Sequence, residues 1–205
     1  MTPLSKLFAA IEHNGEKCHV HIPADWQQGR TSYGGLTAAL CVEAARRCVP
    51  DLPALRSAQF TFVGPAGGDV RMATTILRRG KSTVFVGVDL AGGHGLATHA
   101  TLSFAAERDS ALRHRDLPMP RVAPPEECAG FFGAHAPTFA QHFDYLNAGD
   151  ARPMSGAVRP EYLIWLRHRD AQAGTGAAAL VALADAPPPA AMAMFTQPAP
   201  ISTMT

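Results

Sequence analysis

The sequence predicts an α+β fold in which one long helix packs on an antiparallel β-sheet. Two observations carry this. An apolar run from Leu36 to Val49 has no internal breaker and is stopped by Pro50. Four β-branched and aromatic runs then crowd into residues 56–105, with glycine turns at Gly80-Lys81 and at Gly92-Gly93-His94-Gly95. Strands joined by such short turns run antiparallel. A sheet with one solvated face and one helix-covered face is an α+β layer.

In chain order, residues 17–22 alternate (Lys-Cys-His-Val-His-Ile) and predict a short strand ended by Pro23. Trp26 to Ser32 is polar and reads as a loop. Tyr33-Gly34-Gly35 then opens the long helix. The runs 56–63, 70–79, 82–90 and 96–105 predict strands in a four-strand meander. From 107 to 160 the pattern breaks, with prolines at 118, 120, 124, 125, 137, 153 and 160. This predicts a linker, with order in parts such as Phe139 to Leu146. Residues 161–168 are strand-like again. Residues 176–184 have strong helix propensity and are apolar enough to demand burial. Asp185 follows, then Pro187-Pro188-Pro189, which ends that helix. Ile201 to Thr205 begins like a strand. The second part thus repeats strand then helix at a spacing too wide for a solenoid.

Composition narrows the function classes. The 205 residues are 47% hydrophobic and 17% charged, with a formal net charge of +1. That charge gives no electrostatic case for nucleic acid or an anionic membrane as partner. No stretch approaches a membrane span, and the N-terminus is a poor signal peptide, so a cytoplasmic protein is expected. Cys18, Cys41, Cys48 and Cys128 form no CxxC pair and are expected to be buried, reduced thiols. His19 and His21 share a strand face, but nothing specifies a third ligand, so no metal site is expected. Gly93-x-Gly95 leads into a strand rather than a helix and does not read as a nucleotide loop. No serine lies in a GxSxG context.

Three groups of residues remain as candidates. Asp185 sits between an apolar helix and a proline turn, where solubility does not require an acid. A carboxylate held at the edge of a buried region is partly desolvated, which raises its pKa toward that of a general base. An ordinary proline-turn aspartate is the plainer alternative. Gly34-Gly35 lets a ligand approach the free amides of a helix N-terminus; the plainer alternative is a tight helix entry. Arg78, Arg79 and Lys81 cluster at a hairpin tip, where they meet either solvent or the phosphates of a ligand.

The ordered set of Ser32-Tyr33-Gly34-Gly35-Leu36, Pro65 with Gly68-Asp69, and Leu77-Arg78-Arg79-Gly80-Lys81-Ser82 resembles the first half of the double-hotdog acyl-CoA thioesterases, the thioesterase II or thioesterase-like family. Ile164-Trp165-Leu166-Arg167, Leu183-Ala184-Asp185 and Ser202-Thr203-Met204 resemble the start of its second half. The resemblance implies a tandem hotdog fold: an N-terminal module over 1–106, a linker over 107–155, and an incomplete second module over 156–205. It implies that the strand bearing Trp165 continues or mirrors the first sheet. It further implies hydrolysis of an acyl-CoA to free acid and coenzyme A without metal or cofactor. In that reading Asp185 activates a water, Thr203 (or Ser202 beside it) positions the water, and Gly34 and Gly35 form the oxyanion pocket. Arg78, Arg79 and Lys81 would meet coenzyme A, and the protein would be a homo-oligomer. The family's third catalytic residue, a glutamine on a late strand, has no counterpart before Thr205. The competing expectation is a catalytically silent hotdog module that binds acyl chains or serves assembly.

Overall fold

A computed structural model describes residues 1–133 and 136–199. The chain opens with a short helix α1 (Leu4–Ala9), a strand β1 (Glu12–Asn14) and β2 (Lys17–Ile22). A small hairpin of β3 (Gln27–Gln28) and β4 (Thr31–Ser32) leads into helix α2 (Gly34–Cys48). Four long strands follow: β5 (Ala54–Phe62), β6 (Gly68–Arg79), β7 (Thr83–Gly92) and β8 (Gly95–Ala105). The predicted helix and strands are thus present, with ends shifted by a few residues.

The pairing differs from a simple meander. The six-stranded sheet has the order β1-β2-β6-β7-β8-β5, antiparallel throughout. Strand β5 sits on the far edge beside β8, three positions from β6. At about 4.8 Å per strand the crossing spans about 14 Å. The five residues between β5 and β6 reach about 17 Å when extended. Alternation in sequence predicts a strand and its buried face, but not its neighbour. The crossing also builds part of a cavity wall. It passes the start of α2, where Ala66 accepts from the Ser32 N–H at 2.6 Å and donates its own N–H to Thr31 Oγ1 at 2.9 Å.

The sheet wraps α2 with one face. Cys18, Val20 and Ile22 of β2, Val70, Met72 and Thr74 of β6, Val84, Val86, Val88 and Leu90 of β7, and Ala100, Leu102 and Phe104 of β8 all point inward. Ten of the fifteen α2 residues are buried, so the helix is covered on more than its sheet side. This is the hotdog arrangement.

The remaining cover comes from the second part of the chain. After an irregular stretch come β9 (Ala129–Gly130), β10 (Phe143–Asn147), β11 (Ile164–His168) and helix α3 (Ala177–Ala184), which lies against α2. The order expected near Phe139–Leu146 is therefore a 3-10 turn followed by a strand. Trp165 lies on β11, which pairs with β10 in a separate three-stranded sheet. Among the described residues no ladder joins the two sheets. Their union is made instead by α2 on α3 and by an aromatic cluster. Trp26 stacks on His142 with centroids 3.7 Å apart, and Tyr33 stacks on Phe139 at 4.1 Å. Phe143 meets both Trp26 and Tyr33 edge-on.

Helix α3 is less buried than its composition demands. Ala178, Ala179 and Ala182 are covered, but Leu180 is 63% exposed. The helix meets α2 along one stripe, so the opposite side stays open. The thiols also depart from expectation. All four are free, as expected, but only Cys18 and Cys41 are buried, while Cys48 and Cys128 are partly exposed.

Candidate active site

Helix α2 begins without a side-chain cap: Tyr33 stands at its N-cap position and its side chain bonds elsewhere. The Leu36 and Thr37 N–H groups donate to the Tyr33 carbonyl. The first amides, Gly34 and Gly35, are those a helix cannot satisfy within itself, and the macrodipole makes this end attractive to negative charge. Asp185 meets it there. A Cβ on Gly34 would lie 3.0 Å from Asp185 Oδ2 and 3.1 Å from the Phe62 ring. The Gly35 N–H is directed at the same carboxylate. A side chain at Gly34 would therefore crowd this approach.

Two phenols hold the segment around Asp185. Tyr33 donates its hydroxyl to the Ala182 carbonyl at 2.6 Å, and Tyr145 donates to the Ala186 carbonyl at 3.2 Å. Burial, helped by the Asp185 charge, keeps both phenols well above the usual tyrosine pKa, so both remain donors. Tyr33→Phe should leave the Ala182 carbonyl without this donor. The expected result is a loss of about 1 kcal/mol of stability, read as a lower urea midpoint at unchanged slope.

Asp185 is an exposed residue, but its carboxylate lies against the Gly34 end of the recess. The protein packed around it raises its pKa above the usual carboxylate value, and the Gly35 N–H works against that shift. Exposure to solvent moderates the effect.

A cavity of about 140 Å³ opens beside the acid, with Thr31, Gly34, Thr37, Phe62, Thr98 and Asp185 in its wall. Its inner side carries two buried hydroxyls. Thr98 donates to Thr37 at 2.9 Å, and Thr37 donates to the Gly34 carbonyl at 2.9 Å. Larger grooves exist, one of 540 Å³ along β1, β2 and β6 and one of 490 Å³ beside Phe131 and Tyr145. Size does not select the site; in the smaller cavity an acid, a helix N-terminus and buried hydroxyls converge.

The structure thus brings Asp185, Gly34 and Gly35 together. It does not bring Arg78, Arg79 and Lys81 to them. Those three are exposed at the β6–β7 turn, where Arg79 donates to the Pro50 carbonyl beyond the C-terminus of α2. The fifteen-residue helix separates that end from Gly34 by about 20 Å. Thr203 and Ser202 lie outside the described residues. His19 and His21 are exposed on β2, and His21 pairs with Asp69 at 2.9 Å.

Tyr33, Thr37, Phe62, Thr98 and Tyr145 were not read from the sequence as site residues. Thr98 had a signal: it occupies the inward phase of its strand, in line with Ala100, Leu102 and Phe104. A hydroxyl at a core phase needs a partner, and Thr37 supplies it.

Comparison with known families decides the affiliation. Residues 22–105 match the acyl-CoA thioesterase N-terminal domain, and residues 117–205 match the acyl-CoA thioesterase C-terminal domain. The chain belongs to the double-hotdog acyl-CoA thioesterase family. Solved structures share its fold at low identity. A hotdog-fold protein of unknown function from Alicyclobacillus acidocaldarius superposes with a TM-score of 0.86 at 23% identity, covering 100% of this chain and 76% of the other. A candidate thioesterase II from Thermobifida fusca gives 0.76 at 20%, covering 95% and 75%. An acyl-CoA thioesterase II from Mycobacterium marinum gives 0.67 at 19%, covering 88% and 68%. Comparison with curated proteins returned no match. Among the described residues of this thioesterase-family chain, no helix is long and apolar enough to cross a membrane, and no three metal-ligating side chains converge.

Proposed function

We propose that this protein hydrolyses an acyl-CoA thioester to a free acid and coenzyme A in the cleft between Asp185 and the N-terminus of α2. The observation that carries this reading is the approach of the Asp185 carboxylate to Gly34 and Gly35, an acid from the second module set against a helix start from the first. A thioester is already activated, so its hydrolysis needs a polarised carbonyl and a positioned water. Asp185 takes a proton from the water as general base. The Gly34 N–H, with that of Gly35 once the carboxylate turns to the water, faces the developing oxyanion. The tetrahedral intermediate expels the coenzyme A sulfur, and the proton held by Asp185 goes to it. Thr203, or Ser202 beside it, is proposed to hold the water in line.

Arg78, Arg79 and Lys81 keep only a proposed role against substrate phosphates, resting on charge. Self-association is likewise proposed, since among the described residues β1 and β5 leave the large sheet with two open edges.

The pH dependence tests the role of Asp185. A base works when ionised. Because its carboxyl pKa is raised, kcat/KM should fall as pH drops through that raised value, by about tenfold per pH unit below it. Coenzyme A release followed against pH with a single acyl-CoA is the measurement. A rate flat down to the ordinary carboxylate range would remove Asp185 as the base.

A further inference from the structure

The two cysteines Cys18 and Cys48 lie far from the proposed site and have no part in it. Cys18 is on the inward face of β2, and Cys48 is the last residue of α2. Both thiols are free, and their sulfurs are 3.3 Å apart. Neither partner can easily drift away. Cys18 is held in ladders on both sides, opposite His13 of β1 and Met72 of β6. The last turn of α2 is fixed by Arg47, which donates to Glu43 at 3.0 Å and to the Phe8 carbonyl at 2.7 Å. Cys48 is partly exposed, whereas Cys18 is 2% exposed.

We infer that Cys18 and Cys48 form an oxidisable dithiol, a covalent modification site that hydrogen peroxide converts to an intramolecular disulfide. The route follows from their unequal access. The Cys48 sulfur, on the more accessible residue of the pair, attacks the peroxide oxygen. The O–O bond breaks, one water leaves, and Cys48 becomes a sulfenic acid. The Cys18 sulfur then attacks the Cys48 sulfur, forming the S–S bond and releasing a second water. Two thiols give up two electrons, and one hydrogen peroxide accepts them. Burial, and then the hydrogen bond with Cys48, push the Cys18 thiol up to about 12. This assigns the first attack to Cys48 and the second, slower step to Cys18. The product ties β2 to the C-terminal end of α2, closing a loop of about thirty residues that the unfolded chain otherwise leaves free.

The test uses the whole protein, reduced and then exposed to limiting hydrogen peroxide. Trypsin cuts after Lys17, Arg30, Arg47 and Arg56, so the two cysteines fall in separate peptides, 18–30 and 48–56. The expected result is that mass spectrometry finds these two peptides joined, and that dithiothreitol separates them. The thermal midpoint of the oxidised protein should rise by roughly 5–15 °C. Cys18→Ser and Cys48→Ser should each abolish the link and the rise, while Cys41→Ser and Cys128→Ser keep both. A link from Cys18 or Cys48 to any other cysteine, a link between two molecules, or oxidation of Cys48 to sulfinic acid with Cys18 left free would overturn the inference.

Discussion

Asp185→Asn should lower the rate of coenzyme A release by about two to four orders of magnitude, the range of general-base catalysis with orientation. The same change should leave the thermal midpoint unchanged or raise it at neutral pH. The sign follows from linkage. The folded protein raises the Asp185 pKa, so the folded state holds that proton to higher pH than the unfolded chain does. The stability this contributes is fully present below the unfolded carboxylate pKa and is lost as pH rises through the folded value. At neutral pH the ionised carboxylate is therefore a small liability, which asparagine removes. The paired measurement is turnover of several acyl-CoA chain lengths beside a thermal melt. Unchanged turnover would detach Asp185 from the chemistry. A clear fall in the midpoint would mark it as a structural cap for α2.

Gly35→Ala should destabilise the fold through the Tyr33 phenol. A Cβ at this position would land on the Tyr33 phenol, which is buried and cannot swing into solvent. Alanine gains about 1 kcal/mol over glycine in helix propensity. Against that stand overpacking, about 1–3 kcal/mol, and the Tyr33 hydrogen bond to Ala182, about 1 kcal/mol. The clash also disturbs the stack on Phe139. The net expectation is a loss of roughly 1–3 kcal/mol, or a midpoint lower by about 2–12 °C. Activity should fall with it, because Tyr33 pins the end of α3 that carries Asp185. In a Tyr33→Ala background the added Gly35→Ala change should cost nothing further. Equal costs in both backgrounds would show that the phenol is not what excludes a side chain at Gly35.

The parts of this fold that local physics controls were legible in the sequence. Pro50 and the breaker-free run before it fixed the extent of α2, and the alternating and β-branched runs marked β2 and β6–β8 as strands. The partner of β5 was not legible, because the residues of a strand encode its faces and its register against some neighbour, not which neighbour. The second sheet was harder still, since β10 is a five-residue strand inside a proline-rich stretch. At the site, the resemblance and the helix-start chemistry led to Gly34, Gly35 and Asp185, and the fold brings these three together. The Thr98–Thr37 hydrogen bond was missed because it joins residues 61 positions apart. Arg78, Arg79 and Lys81 were chosen for charge at a turn, and charge at a turn carries no information about which end of α2 that turn adjoins.

The most direct test of thioester hydrolysis at this cleft is to incubate the protein with a panel of acyl-CoAs and quantify free coenzyme A and free acid together. Both should appear in equal amounts for at least one acyl chain, and Asp185→Asn should suppress both while still binding that acyl-CoA. Binding of acyl-CoA by the native protein with neither product released would contradict it and would mark the protein as a silent acyl-binding module.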